Sequence, residues 1–252
     1  MPPFFPLTLS LYAVTCTLAF LPLLGAVPAL PSGEASKTPY ARGARLILLL
    51  AFVSHTVDIG WLCYHGRNPV VDAREATFFA CWLLAGLYLV ALLRGAGQAL
   101  GALLVPVILV LSTLAQLTPN RNTPGVRAVN VSLLAIGHIL AATLGSAIFI
   151  VAAGASALYL WQERQLKNAK QRRMPLVPRR GISLEGLDTL NRRCVALGFP
   201  VFTAALLTGT VWVGMLPPSA SSPFAQPQYV FAVLTWLVYA LLMLARLTAG
   251  VR

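Results

Sequence analysis

Long apolar runs alternate with short polar ones along this chain. Seven apolar runs stand out, at 7–30, 44–64, 77–93, 99–117, 131–161, 194–216 and 228–246. Each is long enough to cross a hydrocarbon layer of roughly 30 Å as a helix, which satisfies its own backbone there. Barrel strands would alternate apolar and polar positions, and these runs do not. The pattern predicts an all-α, polytopic transmembrane helix bundle of about seven spans, forming a single integral membrane domain over residues 1–252. The first run is read as a retained span rather than a signal peptide, because Met1–Ser10 holds no Lys or Arg and so lacks a basic n-region. The fifth run, 31 residues from Val131 to Trp161, is about 46 Å as a helix. It predicts a helix unbroken at Gly154 that projects past the membrane, with Glu163 facing Lys167 one turn on.

Composition narrows the class. Of 252 residues, 58% are hydrophobic and 10% charged, against roughly a quarter charged in an average globular chain. Mean hydropathy is +0.76. That excludes a soluble enzyme, a disordered chain and an extracellular disulfide scaffold. The net charge of +12 would suggest nucleic acid in a soluble protein, but its placement argues otherwise. Fifteen Lys and Arg fall in one set of alternate loops and the tail: Lys37, Arg42, Arg45, Arg94, nine between Arg164 and Arg193, Arg246 and Arg252. Four fall in the other set: Arg67, Arg74, Arg121 and Arg127. The basic side stays in the cytoplasm. The expectation is an outside amino terminus, an inside carboxyl terminus, the lipid bilayer as surroundings and no nucleic-acid partner.

The one sizeable polar piece is the basic loop 162–193, read as cytoplasmic. Within it Leu184, Leu187 and Leu190 are spaced like one helix face, which predicts a short helix along the inner interface before the sixth span. Cys16, Cys63, Cys81 and Cys194 form no C-x-x-C pair, so no redox relay or zinc ribbon is readable. They read as small apolar residues, with a Cys63–Cys81 bridge as the alternative.

Ionisable residues inside spans are costly and point to function by default. The second run holds His55 and Asp58, and the fifth holds His138. At ~1.5 Å per residue, His55 lies about 14 Å and His138 about 10 Å below the outer ends of their helices. Two histidines on different spans thus sit at similar depth in the outer half of the membrane. Imidazole is a favoured axial ligand of haem iron. Ala141, Ala142 and Gly145 follow His138 at helical spacing and leave a flat face for a porphyrin. The residues alone leave three readings open: haem ligation, hydrogen bonding between closely packed helices, and a proton relay. Asp58, one turn from His55, is a candidate to orient that ring, or it faces water.

With these residues in view, the chain resembles the cytochrome c assembly family, the CcsA-type haem-handling membrane proteins and their shorter HemX/YpjD-type relatives. The resemblance is carried by His55, by His65-Gly-Arg-Asn-Pro69 through Glu75, Phe79 and Trp82, and by His138 on a helix ending Leu158-Tyr-Leu-Trp-Gln162 with Leu166-Lys167 after it. Gly198-Phe-Pro200, Thr203, Leu207-Thr-Gly209, Val211-Trp212, Thr235-Trp236 and Tyr239 continue it. It implies haem binding or transport for attachment to apocytochromes c on the outer side. Haem b is the implied cofactor, with His55 and His138 as its two iron ligands in one site. Asp58, Trp61, Ala142 and Gly145 are then pocket candidates, and Arg67, Arg74, Arg121 and Arg127 are candidates for the propionates. Both rings should face one inter-helical cavity.

The chain also departs from the family's full synthases. Their outer Trp-rich loop is replaced here by Leu216–Pro227, which has no tryptophan and no acid, and the histidine beside an arginine in the next span is absent from Leu242–Arg246. Cytochrome synthesis by this chain alone is therefore not expected. The short relatives carry one further span, beyond where this chain stops at Arg252. No nucleophile, acid–base pair or phosphate loop is readable, so the chain is not read as an enzyme. The expected setting is a bacterial plasma membrane, crossed several times, with another cytochrome c assembly protein or a tetrapyrrole-pathway enzyme as partner. In the rival reading the chain is a membrane-anchored regulator or scaffold of such an enzyme, acting through loop 162–193.

Overall fold

The computed structural model describes residues 2–21, 38–66, 73–94, 100–117, 133–171, 183–215 and 227–249. Seven α-helices fill them: α1 Phe5–Phe20, α2 Pro39–Tyr64, α3 Ala73–Leu93, α4 Gly101–Leu117, α5 Leu133–Gln171, α6 Leu184–Gly214 and α7 Pro227–Ala249. Each falls on one of the seven apolar runs. Five of them, α2, α3, α5, α6 and α7, are long and apolar enough to span a membrane. Helices α1 and α4, at 16 and 17 residues, are shorter than a ~20-residue crossing. The apolar run of α1 continues into residues outside those described. The protein is a multi-pass helical membrane bundle.

Local chemistry explains where several helices start. Thr38 caps α2 by accepting a hydrogen bond from the Ala41 amide at 3.1 Å, with Pro39 in the first helical turn. Ser183 does the same for the Gly186 amide of α6 at 3.0 Å. Proline at a first position has no amide to leave unsatisfied, and Pro227 opens α7 in this way. Pro106 and Pro200 lie inside α4 and α6, where packed neighbours make such breaks tolerable.

Consecutive helices run antiparallel. Phe4 pairs with Asp58 and Tyr12 with His55, so α1 descends as α2 rises. Helices α1 to α4 close into a four-helix group, since α1 also packs on α4 and α2 on α3. Its core contains Tyr12, Leu48, Cys81, Leu84, Tyr88, Leu104 and Ile108, all fully or almost fully buried. Helix α5 joins through α3, adding Val151, Ala155 and Leu158 to the same core. Helix α6 lies along α5, and α7 lies outermost. Glycine decides how close α5 and α6 come. A Cβ on Gly198 would stand 2.8 Å from the Phe149 ring and 2.9 Å from Ile148, and one on Gly145 would stand 3.1 Å from Phe202.

One expectation holds here and others change. Helix α5 is one unbroken helix of 39 residues through Gly154, and Glu163 and Lys167 form its ion pair at 2.8 Å. Loop 162–193 is not a loop throughout, because α5 claims it to Gln171 and α6 from Leu184; residues 172–182 lie outside those described. Among the described residues there is likewise no separate interfacial helix. The leucine face is the first turns of α6, and it packs inward. Leu187 is fully buried in the main core, and Asn191 donates to the Ala152 carbonyl of α5 at 2.8 Å and to Ser156. Apolar spacing alone does not tell a membrane surface from a facing helix. The four cysteines are free, Cys81 buried in the core and Cys63 exposed on α2.

Candidate functional site

The two intramembrane histidines occupy different parts of the bundle. His55 on α2 is fully buried. Its Nδ1 shares a hydrogen bond with the Tyr12 hydroxyl of α1 at 3.1 Å. Its ring packs on Phe78 of α3, with centroids 4.1 Å apart. Its Nε2 is buried without a hydrogen-bond partner among the described residues.

Asp58 does not orient His55. Its two oxygens accept from the Phe4 amide at 2.9 Å and from the Thr8 hydroxyl at 2.8 Å, and Ser54 extends this cluster through Thr8 at 2.7 Å. The carboxylate ties the start of α1 to α2, and Tyr12 orients the imidazole. Sequence spacing pointed to the aspartate because both sit on one helix face; the actual partner comes from another helix.

His138 on α5 faces a different space. Its Nδ1 stands 2.7 Å from the Ala205 carbonyl of α6. A carbonyl oxygen only accepts, so Nδ1 carries the proton and Nε2 keeps the lone pair in the neutral ring. The imidazole lies over Gly209: a Cβ there would be 2.5 Å from His138 Cε1 and 2.8 Å from Nδ1. Trp212, one turn further along α6, brings its ring to 6.0 Å. A glycine and a carbonyl one helical turn apart on α6 thus form a shallow seat for one ring.

The seated ring lines a cavity of about 710 Å³ between α5, α6 and α7, within the ~300–1,000 Å³ of small-molecule and cofactor sites. Ala142 and Ser146 continue the α5 wall, Phe202 and Trp212 belong to α6, and Thr235 and Tyr239 to α7. Tyr239 stacks on Phe149 at 3.5 Å with an interplanar angle of 5°, and donates to the Phe149 carbonyl at 3.2 Å. Trp236 is fixed by its Nε1 donating to Thr203 at 2.9 Å. The walls are mostly apolar and aromatic, and none of the described lining residues is charged.

The other sequence candidates sort accordingly. Ala142 lines the cavity; Gly145 does not, being the contact of α5 with Phe202. Trp61 is half-exposed and packs on His65, centroids 4.2 Å apart. Arg74 donates to Gln116 of α4, away from the cavity lining. Arg67, Arg121 and Arg127 lie outside the described residues. His55 is not on the cavity wall, so the structure does not bring the two histidines into one site. Equal depth is a one-dimensional measure, and it left open which helices are neighbours. Gly209, Trp212 and Tyr239 entered the sequence reading only through the resemblance. Their usable signal was Gly209 and Trp212 at i, i+3 on one helix face.

Comparison with known proteins bears on this region directly. The model of the family described as cytochrome C assembly protein matches residues 70–252, which include His138 and the whole cavity wall. The chain belongs to that family. It is similar to the cytochrome c biogenesis protein CcsA of Trieres chinensis, 26% identical over 218 residues, 73% of this chain and 67% of that protein. The CcsA of Chlamydomonas reinhardtii is 27% identical over 192 residues, 73% of this chain and 52% of that protein. For the CcsA of Synechococcus elongatus the figures are 24% over 226 residues, 73% and 69%. The chain therefore spans about half to two thirds of the length of these relatives. No solved structure matches it. His55 lies before the stretch matched by the cytochrome c assembly model, and His138 lies inside it.

Proposed function

We propose that this chain handles haem for cytochrome c assembly in a bacterial plasma membrane, holding a b-type haem in the cavity between α5, α6 and α7. The observation that carries the reading is the state of His138. Its Nδ1–H is committed to the Ala205 carbonyl, while Nε2 keeps its lone pair and the residue lines a mostly apolar cavity wall. Histidines that bind iron or zinc are commonly prepared this way, with the second nitrogen hydrogen-bonded so that tautomer and ring direction are set in advance. Family membership and the similarity to CcsA proteins support the choice of haem.

The donor set fits the group. A haem iron takes one axial imidazole, and His138 is the residue that would supply it. When bound, haem contributes a redox-active iron and a planar, largely apolar macrocycle with two carboxylates. The residues do the rest of the work. Gly209 keeps space for the imidazole, and Phe149, Phe202 and Trp212 exclude water from the apolar part. Ser146 and Thr235 offer hydroxyls at the wall. His55 belongs, on this reading, to the packing of α1, α2 and α3. The proposed orientation puts the cavity on the outer side, opposite the basic ends of α3, α5 and α6.

Purifying the full chain from haem-replete cells in mild detergent tests the reading. The expected result is a Soret band and a pyridine haemochrome of b type. A colourless, folded protein that does not take up added hemin would contradict it.

A further inference from the structure

A second cavity, of about 480 Å³, lies on another face of α5 and nearer the basic end of the bundle, between the last turns of α3, the middle of α5 and the first turns of α6. Its walls are apolar, with Leu87, Val90, Ile148 and Leu190 among them, and its mouth carries Arg94, Arg193 and Glu185. Arg94 and Arg193 make no ion pair among the described residues, whereas the adjacent Arg192 is paired with Asp188 at 2.8 Å. Two guanidinium groups against one carboxylate leave a local charge of +1 over an apolar cleft. This end also holds Arg42, Arg45, Arg164 and Lys167, the basic side of the bundle.

We propose that this cleft is a binding site for one anionic phospholipid, its phosphodiester between Arg94 and Arg193 and an acyl chain along the apolar wall. Guanidinium pairs suit phosphate oxygens through paired N–H donors. Basic pockets between spans on the cytoplasmic side are favourable places for anionic headgroups. A net charge of +1 matches a headgroup with one phosphodiester charge, so phosphatidylglycerol is the probe. Free phosphate offers the same charge without a chain to fill the cleft. The site is distinct from the His138 cavity and does not depend on what that cavity holds.

The test is native mass spectrometry of the full chain released from nanodiscs of equimolar phosphatidylglycerol and phosphatidylcholine. The wild type should retain phosphatidylglycerol about fivefold or more over phosphatidylcholine, roughly what one basic residue contributes at an anionic surface. Arg94→Gln and Arg193→Gln, both at exposed positions, should each bring the ratio toward parity, and Arg192→Gln should leave it unchanged. Val90→Trp, half-exposed on the wall, should lower retention with both arginines intact. Added inorganic phosphate should not displace the lipid. Parity in the wild type would overturn the proposal, as would equal loss in Arg192→Gln, full retention in Val90→Trp, or displacement by phosphate. Hemin binding that the Arg94 and Arg193 variants abolish, without lipid preference, would also overturn it.

Discussion

His138 owes its free ring nitrogen to a backbone carbonyl that no side-chain substitution removes, so the residue to test beside it is Gly209. A Cβ at that position meets the imidazole at 2.5 Å, well inside contact distance. Gly209→Val should push the ring off the Ala205 carbonyl and lower haem affinity about 10–100-fold, the usual effect of losing a ligand's supporting hydrogen bond. Hemin titration of the purified variant measures this, with size-exclusion behaviour as the check on folding. Asp58 makes a contrasting case. Asp58→Ala leaves the Phe4 amide and Thr8 hydroxyl without their acceptor and should cost about 1–3 kcal/mol of stability, read by thermal unfolding in detergent. Haem binding should not change. Both roles were only half legible in the sequence. The intramembrane histidines and the aspartate stand out by cost alone, but which groups they bond depends on neighbours that no single helix reveals.

Helices α5 and α6 form the frame that holds the proposed site, and their contact runs from His138 and Gly209 at one end to Ser156 and Asn191 at the other. Asn191→Ala removes two hydrogen bonds to α5. It should cost about 1 kcal/mol, in the range measured for hydrogen bonds between membrane helices. Gly198→Leu should cost more, because Phe149 and Ile148 already occupy the space and Phe149 also carries the Tyr239 stack. Its effect should therefore reach the cavity and weaken hemin binding as well as stability, whereas Asn191→Ala should affect stability alone. Unfolding and hemin titration on the same two variants separate these outcomes. Element existence was readable, since each apolar run holds a helix among the described residues and the unbroken α5 follows from its length. The inward packing of Leu187 was not, because the period of 3.6 describes any buried stripe, whether lipid, headgroups or another helix covers it.

For the whole molecule, hydropathy dictates a multi-pass bundle, and the uneven placement of Lys and Arg predicts its direction. Reporter fusions after Arg94 and Lys167 should be active in the cytoplasm, and those after Gly66 and Met215 on the outer side; a cytoplasmic signal after Gly66 would reverse the assignment. Family membership was legible from motif order along the chain. The division into a four-helix group around His55 and a three-helix cavity around His138 was not, because counting along the sequence assigns both histidines a like depth on long apolar helices. That division is the central structural claim, and one measurement bears on it most directly: the visible absorption spectrum of His138→Ala beside that of His55→Ala, each purified after haem loading. The account predicts that His138→Ala loses or strongly weakens the Soret band, while His55→Ala keeps it with the same maximum. Loss of the band in His55→Ala, with His138→Ala unchanged or equally affected, would contradict a single His138 site.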